Sequence, residues 1–494
     1  MLRPAFLIIA GRMAGFAAAF VTPLILVRIF DLAAFGTYKQ WFLLYITILT
    51  VTQIGMAESL LYFLPRAGAE AGRYVMNSIL FLSITGAAAA LLVTWGAGPI
   101  ARWMNNPALA PLVPMLGLYV WLMQTSVGLE TVMTARGSYR SAALAYATSD
   151  IVRALFLVVP VLFVPSLRVL LYGAVSFGLL RLLYTLHYFR REFAGAFRPD
   201  GACLTRQLGY SLPFALAVLA SVVQENFHQY TVAGLFDAAT FAIYAVGCLQ
   251  IPIVDLIGTT ICNVMMVGMT QALHAGRETE VIEIWHHTVR KLALVFFPLA
   301  CVLLVTARDV IVMLFTDSYL ASVPVFMVSL IAVVFAALPV DGLLRVYAKT
   351  RTLMTINLLR LAMIALLIHW SIASFGLLGA MLVTVAALGA GKAVALGRAA
   401  SLWRVGLLQV LPWRPLSLVA AVSAAAAVPA FAVADVVHAA PFLRILAAGT
   451  VYAGAYAALV TGFGLLSAHE RASLFELLER VHLWLPGRYQ HKPS

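Results

Sequence analysis

Uninterrupted apolar stretches, each about 20 residues long, recur along the whole of this sequence. Only 11% of the 494 residues are charged, whereas soluble globular domains carry about 25%. Because hydrocarbon offers the backbone no hydrogen-bond partners, such stretches must be helices. The strands of a membrane barrel, which alternate over about 10 residues, do not fit them. The sequence therefore predicts an all-α polytopic membrane protein.

The apolar stretches predict about fourteen transmembrane helices. We place them at 5–29, 40–64, 75–98, 109–134, 142–165, 169–189, 208–234, 240–268, 292–307, 323–345, 352–373, 376–397, 416–434 and 442–466. Connections on one side of the membrane then carry 22 Lys and Arg residues, and those on the other side carry six. Because basic residues collect in cytoplasmic connections, this bias places both termini in the cytoplasm. It also explains the net charge of +13 without nucleic-acid binding.

A nine-residue element occurs twice in the chain. Residues 30–38 read Phe-Asp-Leu-Ala-Ala-Phe-Gly-Thr-Tyr, and residues 236–244 read Phe-Asp-Ala-Ala-Thr-Phe-Ala-Ile-Tyr. Membrane proteins made of two similar halves generally bind substrate where the halves face each other. We therefore expect two pseudo-symmetric six-helix lobes followed by two additional helices. The expected segments are an N-terminal lobe (1–190), a cytoplasmic inter-lobe loop (191–207), a C-terminal lobe (208–400), two additional helices (401–466) and a cytoplasmic amphipathic tail (467–494).

The repeated element also predicts local structure. Asp31 and Asp237 should cap the helices that follow them, because a carboxylate accepts backbone N–H bonds at the positive end of a helix dipole. Prolines inside helices remove a hydrogen-bond donor and bend the helix, which would give moving lobes their hinges. Prolines of this kind are Pro23, Pro160, Pro213, Pro252, Pro298 and Pro339.

Residues that could catalyse a reaction are sparse. The four cysteines are scattered and have no metal-binding spacing, and no phosphate loop, nucleophile triad or dinucleotide motif is present. No outer connection is long enough for the catalytic domain of a membrane glycan polymerase or ligase. The sequence therefore predicts a protein that is not an enzyme and has no metal site or cofactor, apart from H⁺ or Na⁺ as a coupling ion.

Ionisable side chains within the predicted helices indicate a cavity. Such groups are costly in lipid and generally face a cavity or each other. Arg12 and Arg360 lie deep in the first and eleventh predicted helices, where a guanidinium could hold a phosphate. The alternative for Arg12 is a structural pair with Glu58 or another acidic residue. Arg181, in the sixth predicted helix, is a further cavity candidate.

The most polar stretch inside any predicted helix lies at 224–231. We expect its residues Glu225, Asn226 and His228 to line the cavity and to suit a hydroxyl-rich ligand, a proton or a cation. The alternative is that the outer end of this stretch lies at the membrane interface. Asp255, in the eighth predicted helix, could carry a coupling charge or neutralise a basic residue.

Asp150 and Arg153 lie three residues apart in the fifth predicted helix. Side chains at this spacing share one helical face. We expect the two to form an ion pair.

Two motifs resemble those of a known transporter family. Residues 28–38 (Arg-Ile-Phe-Asp-Leu-Ala-Ala-Phe-Gly-Thr-Tyr) are followed at 54–66 by Ile-Gly-Met-Ala-Glu-Ser-Leu-Leu-Tyr-Phe-Leu-Pro-Arg. This opening resembles that of the polysaccharide transporter family, the O-antigen and exopolysaccharide flippases of the multidrug/oligosaccharidyl-lipid/polysaccharide exporter superfamily. The resemblance implies two six-helix lobes around a central cavity, with basic residues holding a pyrophosphate. Arg12 and Arg360 are the best-placed matches, whereas Ala242 departs from the pattern where the first copy has Gly36.

The resulting hypothesis is a flippase of the bacterial inner membrane. It would move a polyprenyl-diphosphate-linked oligosaccharide from the cytoplasmic to the periplasmic leaflet by alternating access. Its partners would be this lipid-linked oligosaccharide, membrane lipids and polysaccharide polymerase or export machinery, without nucleic acid. The alternatives are a multidrug or cation antiporter of the same superfamily, a lipid II-type flippase and, less favoured, a membrane glycan polymerase or ligase.

Overall fold

The fold consists of α-helices joined by short turns. The computed structural model describes the backbone of residues 2–195 and 197–465, together with their side chains except those of 2–10, 12, 14, 214, 216 and 217. The first ten helices are α1 (Leu2–Ile29), α2 (Leu32–Gln53), α3 (Met56–Ala67), α4 (Ala71–Trp95), α5 (Ala97–Trp103), α6 (Val113–Ser126), α7 (Leu129–Ala135), α8 (Tyr139–Phe163), α9 (Leu167–Glu192) and α10 (Gly201–Leu235). The others are α11 (Ala238–Gly247), α12 (Pro252–His274), α13 (Glu278–Val305), α14 (Ala307–Phe315), α15 (Val323–Ala336), α16 (Val340–Val346), α17 (Thr350–Phe375), α18 (Leu377–Trp403), α19 (Trp413–Val436) and α20 (Pro441–Gly462).

The all-α membrane fold is confirmed, but the count of fourteen spans is not. In the described residues, 11 helical segments are long and apolar enough to cross a membrane, or 12 if the bent α10 is included. Several predicted helices are broken in the structure. The second is divided into α2 and α3 at Ile54 and Gly55, which have φ values of 51° and 66°. The eighth is divided into α11 and α12, with Pro252 in the first turn of α12.

The order of elements repeats in the two halves of the chain. In the first half, α5 is followed by the left-handed residue Asn105, a 3₁₀ turn, α6, α7, the left-handed Gly137 and α8. In the second half, α14 is followed by the left-handed Thr316, a 3₁₀ turn, α15, α16, the left-handed Ala348 and α17. Asn105 and Thr316 are separated by the same number of residues as Gly137 and Ala348. This equal separation is expected for a duplicated unit.

The repeated Phe-Asp element caps helices as predicted. The Asp31 carboxylate accepts the backbone N–H of Ala34 at 2.7 Å, and the Asp237 carboxylate accepts that of Thr240 at 3.0 Å. The two copies also meet, because α2 packs on α11. A Cβ atom on Gly36 would clash with the carbonyl oxygen of Ala238, so the absence of a side chain at Gly36 permits the close approach.

The described residues form two compact units. The first comprises Met1–Gln250, Ile311–Ser329 and Lys349–Ala395. Within it, α1 packs on α8, and a Cβ on Gly11 would clash with the Ala143 backbone. The second comprises Ile251–Val310, Leu330–Ala348 and Leu396–Ser494, as far as these residues are described.

Polar contacts tie the helices of the second unit together. The Trp285 indole donates to the Val410 carbonyl at 2.9 Å, and Arg444 pairs with Asp309 at 3.1 Å.

Several expectations on segments remain predictions. The boundaries of the expected lobes at 190, 207 and 400 remain predictions. The expected amphipathic tail at 467–494 lies outside the described residues. Of the prolines, Pro213 is the last residue of the first part of α10, just before a bend of 46°.

Candidate functional site

Helices α3, α6, α7, α8 and α9 line a polar cavity in the first unit. Its volume is about 420 Å³. The lining residues are Ala57, Glu58, Leu61, Met123, Val127, Glu130, Thr131, Thr134, Tyr146, Ser149, Asp150, Arg153 and Arg181. The break between α6 and α7 contributes Val127 to this wall and places Glu130 in the first turn of α7, where the helix dipole stabilises a carboxylate.

Two ion pairs lie in the wall of the polar cavity, one between two helices and one within a single helix. Arg181 on α9 pairs with Glu130 on α7 at 2.8 Å, and both side chains are almost buried, with exposed fractions of 11% and 4%. Arg153 pairs with Asp150 on the same face of α8, also at 2.8 Å. The predicted Asp150–Arg153 pair is therefore confirmed, and its members also line the cavity. Removing one partner of a buried pair leaves an uncompensated charge, so Arg181 and Glu130 depend on each other.

Arg181 retains one unused donor. Its guanidinium donates one Nη–H to the Ser149 hydroxyl and the other to Glu130. The Nε–H is buried and has no hydrogen-bond partner among the described residues. An unsatisfied buried donor costs about 1–3 kcal/mol. This N–H can donate to a ligand oxygen only after the neighbouring side chains move aside.

A second, mainly apolar cavity adjoins the polar one. It has a volume of about 480 Å³. Its lining residues are Leu129, Met133, Ser141, Leu144, Ala145, Thr148, Ser149, Val152, Phe177, Leu180, Arg181 and Tyr184. Ser149 and Arg181 line both cavities. The site thus presents charged and hydroxyl groups on one side of Arg181 and aliphatic and aromatic side chains on the other.

The polar cavity has more carboxylates than guanidinium groups. Glu58, Glu130 and Asp150 are balanced only by Arg153 and Arg181. Among the residues that the structure describes, no three His, Cys, Asp or Glu side chains are close enough to hold a metal ion. The charged side chains of the cavity can form hydrogen bonds and compensate the charge of a ligand.

Of the predicted site residues, Glu58 and Arg181 lie together in this cavity. Arg360 on α17 is not among its lining residues. The Arg360 stem instead packs against α18, where a Cβ on Gly391 would lie 2.8 Å from the Arg360 Cδ atom. The side chain of Arg12, in α1, lies outside the described residues.

The polar stretch on α10 has mixed surroundings. Glu225 is exposed, and the Asn226 amide donates to the Val222 carbonyl of its own helix at 3.0 Å. His228 is buried, and its Nδ1 lies 2.7 Å from the Tyr244 hydroxyl on α11. Asp255 lies in the first turn of α12, in the second unit. None of these four residues lines the polar cavity described above.

From the sequence, Arg181 and Glu58 were site candidates, Glu130 was only one of the intramembrane charges expected to face a cavity or to pair, and Ser149 had no expected role. A usable signal was present in α8. Tyr146, Ser149 and Arg153 recur at helical spacing together with Asp150 and form one polar stripe on an otherwise apolar helix. The contact of Arg181 with Glu130 on α7 could not be predicted from helical spacing, because the two residues are 51 positions apart in the sequence.

Comparisons with known proteins agree on the type of fold. The profile of a family described as "Polysaccharide biosynthesis protein" matches residues 25–324, whereas no curated protein sequence matches the chain. Among solved structures, the chain is similar to the lipid II flippase MurJ in an inward closed conformation, with a TM-score of 0.70, 11% identity and coverage of 94% of this chain and 100% of that chain. It is also similar to a multidrug resistance MATE family transporter (TM-score 0.59, 13% identity, 81% and 96% coverage). A third similar structure is a transporter from Pyrococcus furiosus, which like that MATE transporter is described as a member of the multidrug/oligosaccharidyl-lipid/polysaccharide (MOP) superfamily. Its TM-score is 0.56 at 14% identity, with coverage of 82% of this chain and 97% of that chain.

Proposed function

We propose a specific cargo for this protein. The chain belongs to the polysaccharide biosynthesis protein family, and membership of this family supports a flippase of the MOP superfamily. The protein moves a polyprenyl-diphosphate-linked oligosaccharide, a polysaccharide repeat unit, from the cytoplasmic to the periplasmic leaflet of the bacterial inner membrane. Alternating access of two lobes, 1–190 and 208–400, carries the cargo without chemical conversion. Both termini are cytoplasmic in this proposal.

The adjoining cavities at Arg181 are the observation that carries the proposal. A lipid-linked oligosaccharide has a hydroxyl-rich sugar, a charged diphosphate and an apolar chain. The polar cavity suits the sugar, the apolar cavity suits the first isoprene units, and Arg181 lies where the two meet. A phosphate oxygen can accept from the Arg181 guanidinium, and from its buried Nε–H once the neighbouring side chains move aside.

Charge balance determines how this cargo can be bound. The diphosphate would add negative charge to a cavity in which carboxylates already outnumber guanidinium groups. We propose that H⁺ or Na⁺ enters with or before the cargo and neutralises the excess, with Glu58 as the carboxylate that has no ion pair among the described residues. Arg12 and Arg360 are proposed as additional phosphate contacts during the transport cycle.

Deleting the gene tests the proposed cargo. We expect lipid-linked repeat units to accumulate in the cytoplasmic leaflet and surface glycan to fall. Expression of the wild-type protein, or of the outer-surface control Arg102→Lys, should restore the glycan. Normal surface glycan in the deletion strain would contradict the proposal.

A cation or multidrug antiporter is the second candidate. It is favoured by the same carboxylate excess, since Glu58 and its neighbours would attract a cationic drug. Such a function predicts that deletion increases susceptibility to cationic compounds while surface glycan is unchanged. Unchanged susceptibility together with loss of glycan would exclude it and leave the flippase proposal.

A further inference from the structure

A third cavity lies at the ends of helices, away from the polar and apolar cavities. It lies between the turn that joins α3 to α4 and the connection from α9 to α10, and its volume is about 480 Å³. Ligand pockets commonly measure about 300–1,000 Å³. The lining residues are Gly68, Ala69, Ala71, Gly72, Arg73, Arg136, Glu192, Phe193, Ala194, Gly195 and Arg198. Three of them are arginines and one is a carboxylate.

The arginines are held in place by their neighbours. Arg136 contacts Glu192 through both Nε and Nη2 at 3.1 Å, and its guanidinium lies 5.6 Å from the centroid of the Phe193 ring. Arg73 pairs with Asp200 at 3.0 Å. The pKa of Asp200 is lowered, first because the Cys203 backbone N–H donates to its carboxylate and then because Arg73 is close. Asp200 therefore stays ionised and fixes the position of Arg73.

Arg198 supplies the charge that is not compensated. It is exposed, and among the described residues it has no ion-pair partner. Open space adjoins two of the lining glycines, because a Cβ on Gly68 or on Gly195 would meet no atom within 4 Å. Both have positive φ, 50° and 84°, which side chains other than glycine adopt at a cost. The cavity thus combines an excess guanidinium with free volume.

The position of the cavity along the helices indicates the ligand. The cavity lies where α3, α4, α9 and α10 begin or end, and because membrane-spanning helices end near the phospholipid headgroups, we place the cavity at that depth. In the proposed orientation this is the cytoplasmic side, where anionic lipids attract basic residues by about 1 kcal/mol each. Guanidinium groups bind phosphate oxygens through paired N–H donors.

We infer that this cavity binds the phosphate of an anionic phospholipid headgroup. The phosphate lies between Arg136 and Arg198, and the acyl chains leave the cavity toward the bilayer. Because the cavity contacts both the α3–α4 turn and the α9–α10 connection, a bound lipid joins two segments far apart in the sequence. The inference uses the proposed orientation only to choose the leaflet, and binding itself does not require the proposed cargo.

Native mass spectrometry of the full-length protein in detergent tests this inference. We expect the wild-type protein to retain phosphatidylglycerol in preference to phosphatidylcholine. Arg198→Gln should weaken retention about tenfold, since one charge-assisted bond is lost. Ala69→Trp, which fills the cavity without removing a charge, should have a similar effect. Arg277→Gln is the matched control, because it removes an exposed basic residue paired with Glu280 elsewhere in the chain.

Three results would overturn the inference. Equal retention of phosphatidylglycerol by the wild-type protein and Arg198→Gln would show that the cavity is not the site. Equal loss in Arg277→Gln would show that general surface charge is responsible. Binding of inorganic phosphate that depends on Arg198, without phosphatidylglycerol binding, would replace the lipid by a free anion. Transport assays are independent of all three, so failure here leaves the proposed cargo untouched.

Discussion

The Arg181→Lys substitution separates charge from hydrogen-bond geometry in the polar cavity. Lysine keeps a positive charge next to Glu130, so the penalty of about 3–5 kcal/mol for an uncompensated buried charge is avoided. It loses the planar fork that reaches Ser149 and Glu130 together, and it loses the buried Nε–H. We therefore expect a folded protein with a weaker phosphate contact.

The expected magnitude follows from the lost donor. Hydrogen bonds to charged groups contribute about 1.5–3 kcal/mol, which corresponds to an affinity about 10- to 150-fold lower for the lipid-linked diphosphate. The same substitution should leave binding of a sugar without phosphate unchanged. This difference distinguishes a phosphate contact from a general change in the cavity.

Binding of a fluorescent polyprenyl-diphosphate oligosaccharide to the purified protein measures this effect. Thermal unfolding of both proteins establishes that Arg181→Lys is folded. Arg102→Lys is the control, since Arg102 lies on the exposed surface of α5. Equal affinity of Arg181→Lys and wild type for the diphosphate would refute the assignment of Arg181 as its contact.

Three further predictions concern the stability of the helical fold. Asp237→Ala should lower the free energy of unfolding by about 1 kcal/mol through loss of a helix cap, measured by denaturant titration in detergent. Gly36→Ala should separate α2 from α11, because its Cβ would clash with the Ala238 carbonyl, and should lower the melting temperature, whereas Gly397→Ala, with no atom nearby, should not. Ala348→Gly should raise the free energy of unfolding by about 0.5–1 kcal/mol. Alanine has a φ of 52° at this position, and the strain that glycine relieves in the folded protein exceeds the flexibility that glycine adds to the unfolded chain. An unchanged or lower free energy of unfolding would contradict this prediction.

Local signals in the sequence were sufficient for much of the fold. The Phe-Asp element predicted both helix caps, because a cap depends on residues within one turn of each other. Breaks within helices were harder to predict. Ile54 has a left-handed conformation at the end of α2, and nothing in its side chain favours that conformation, so the predicted second span continued through it.

The candidate site was only partly predictable, for a related reason. The spacing of Asp150 and Arg153 identified their pair, since both lie on one helix. The pairing of Arg181 with Glu130 requires α7 and α9 to pack, and the apolar cavity beside them depends on that packing. Composition predicts that intramembrane charges find partners, but it does not specify which helices supply them.

Transport in proteoliposomes tests the central claim most directly. A labelled polyprenyl-diphosphate oligosaccharide is placed in the membrane, and its exposure to a membrane-impermeant reagent is followed with and without the protein. We predict protein-dependent exposure of the inner-leaflet label, which is strongly slowed by Arg181→Lys and unaffected by Arg102→Lys. Label that stays protected in the presence of folded protein, with an imposed H⁺ or Na⁺ gradient, would contradict the account.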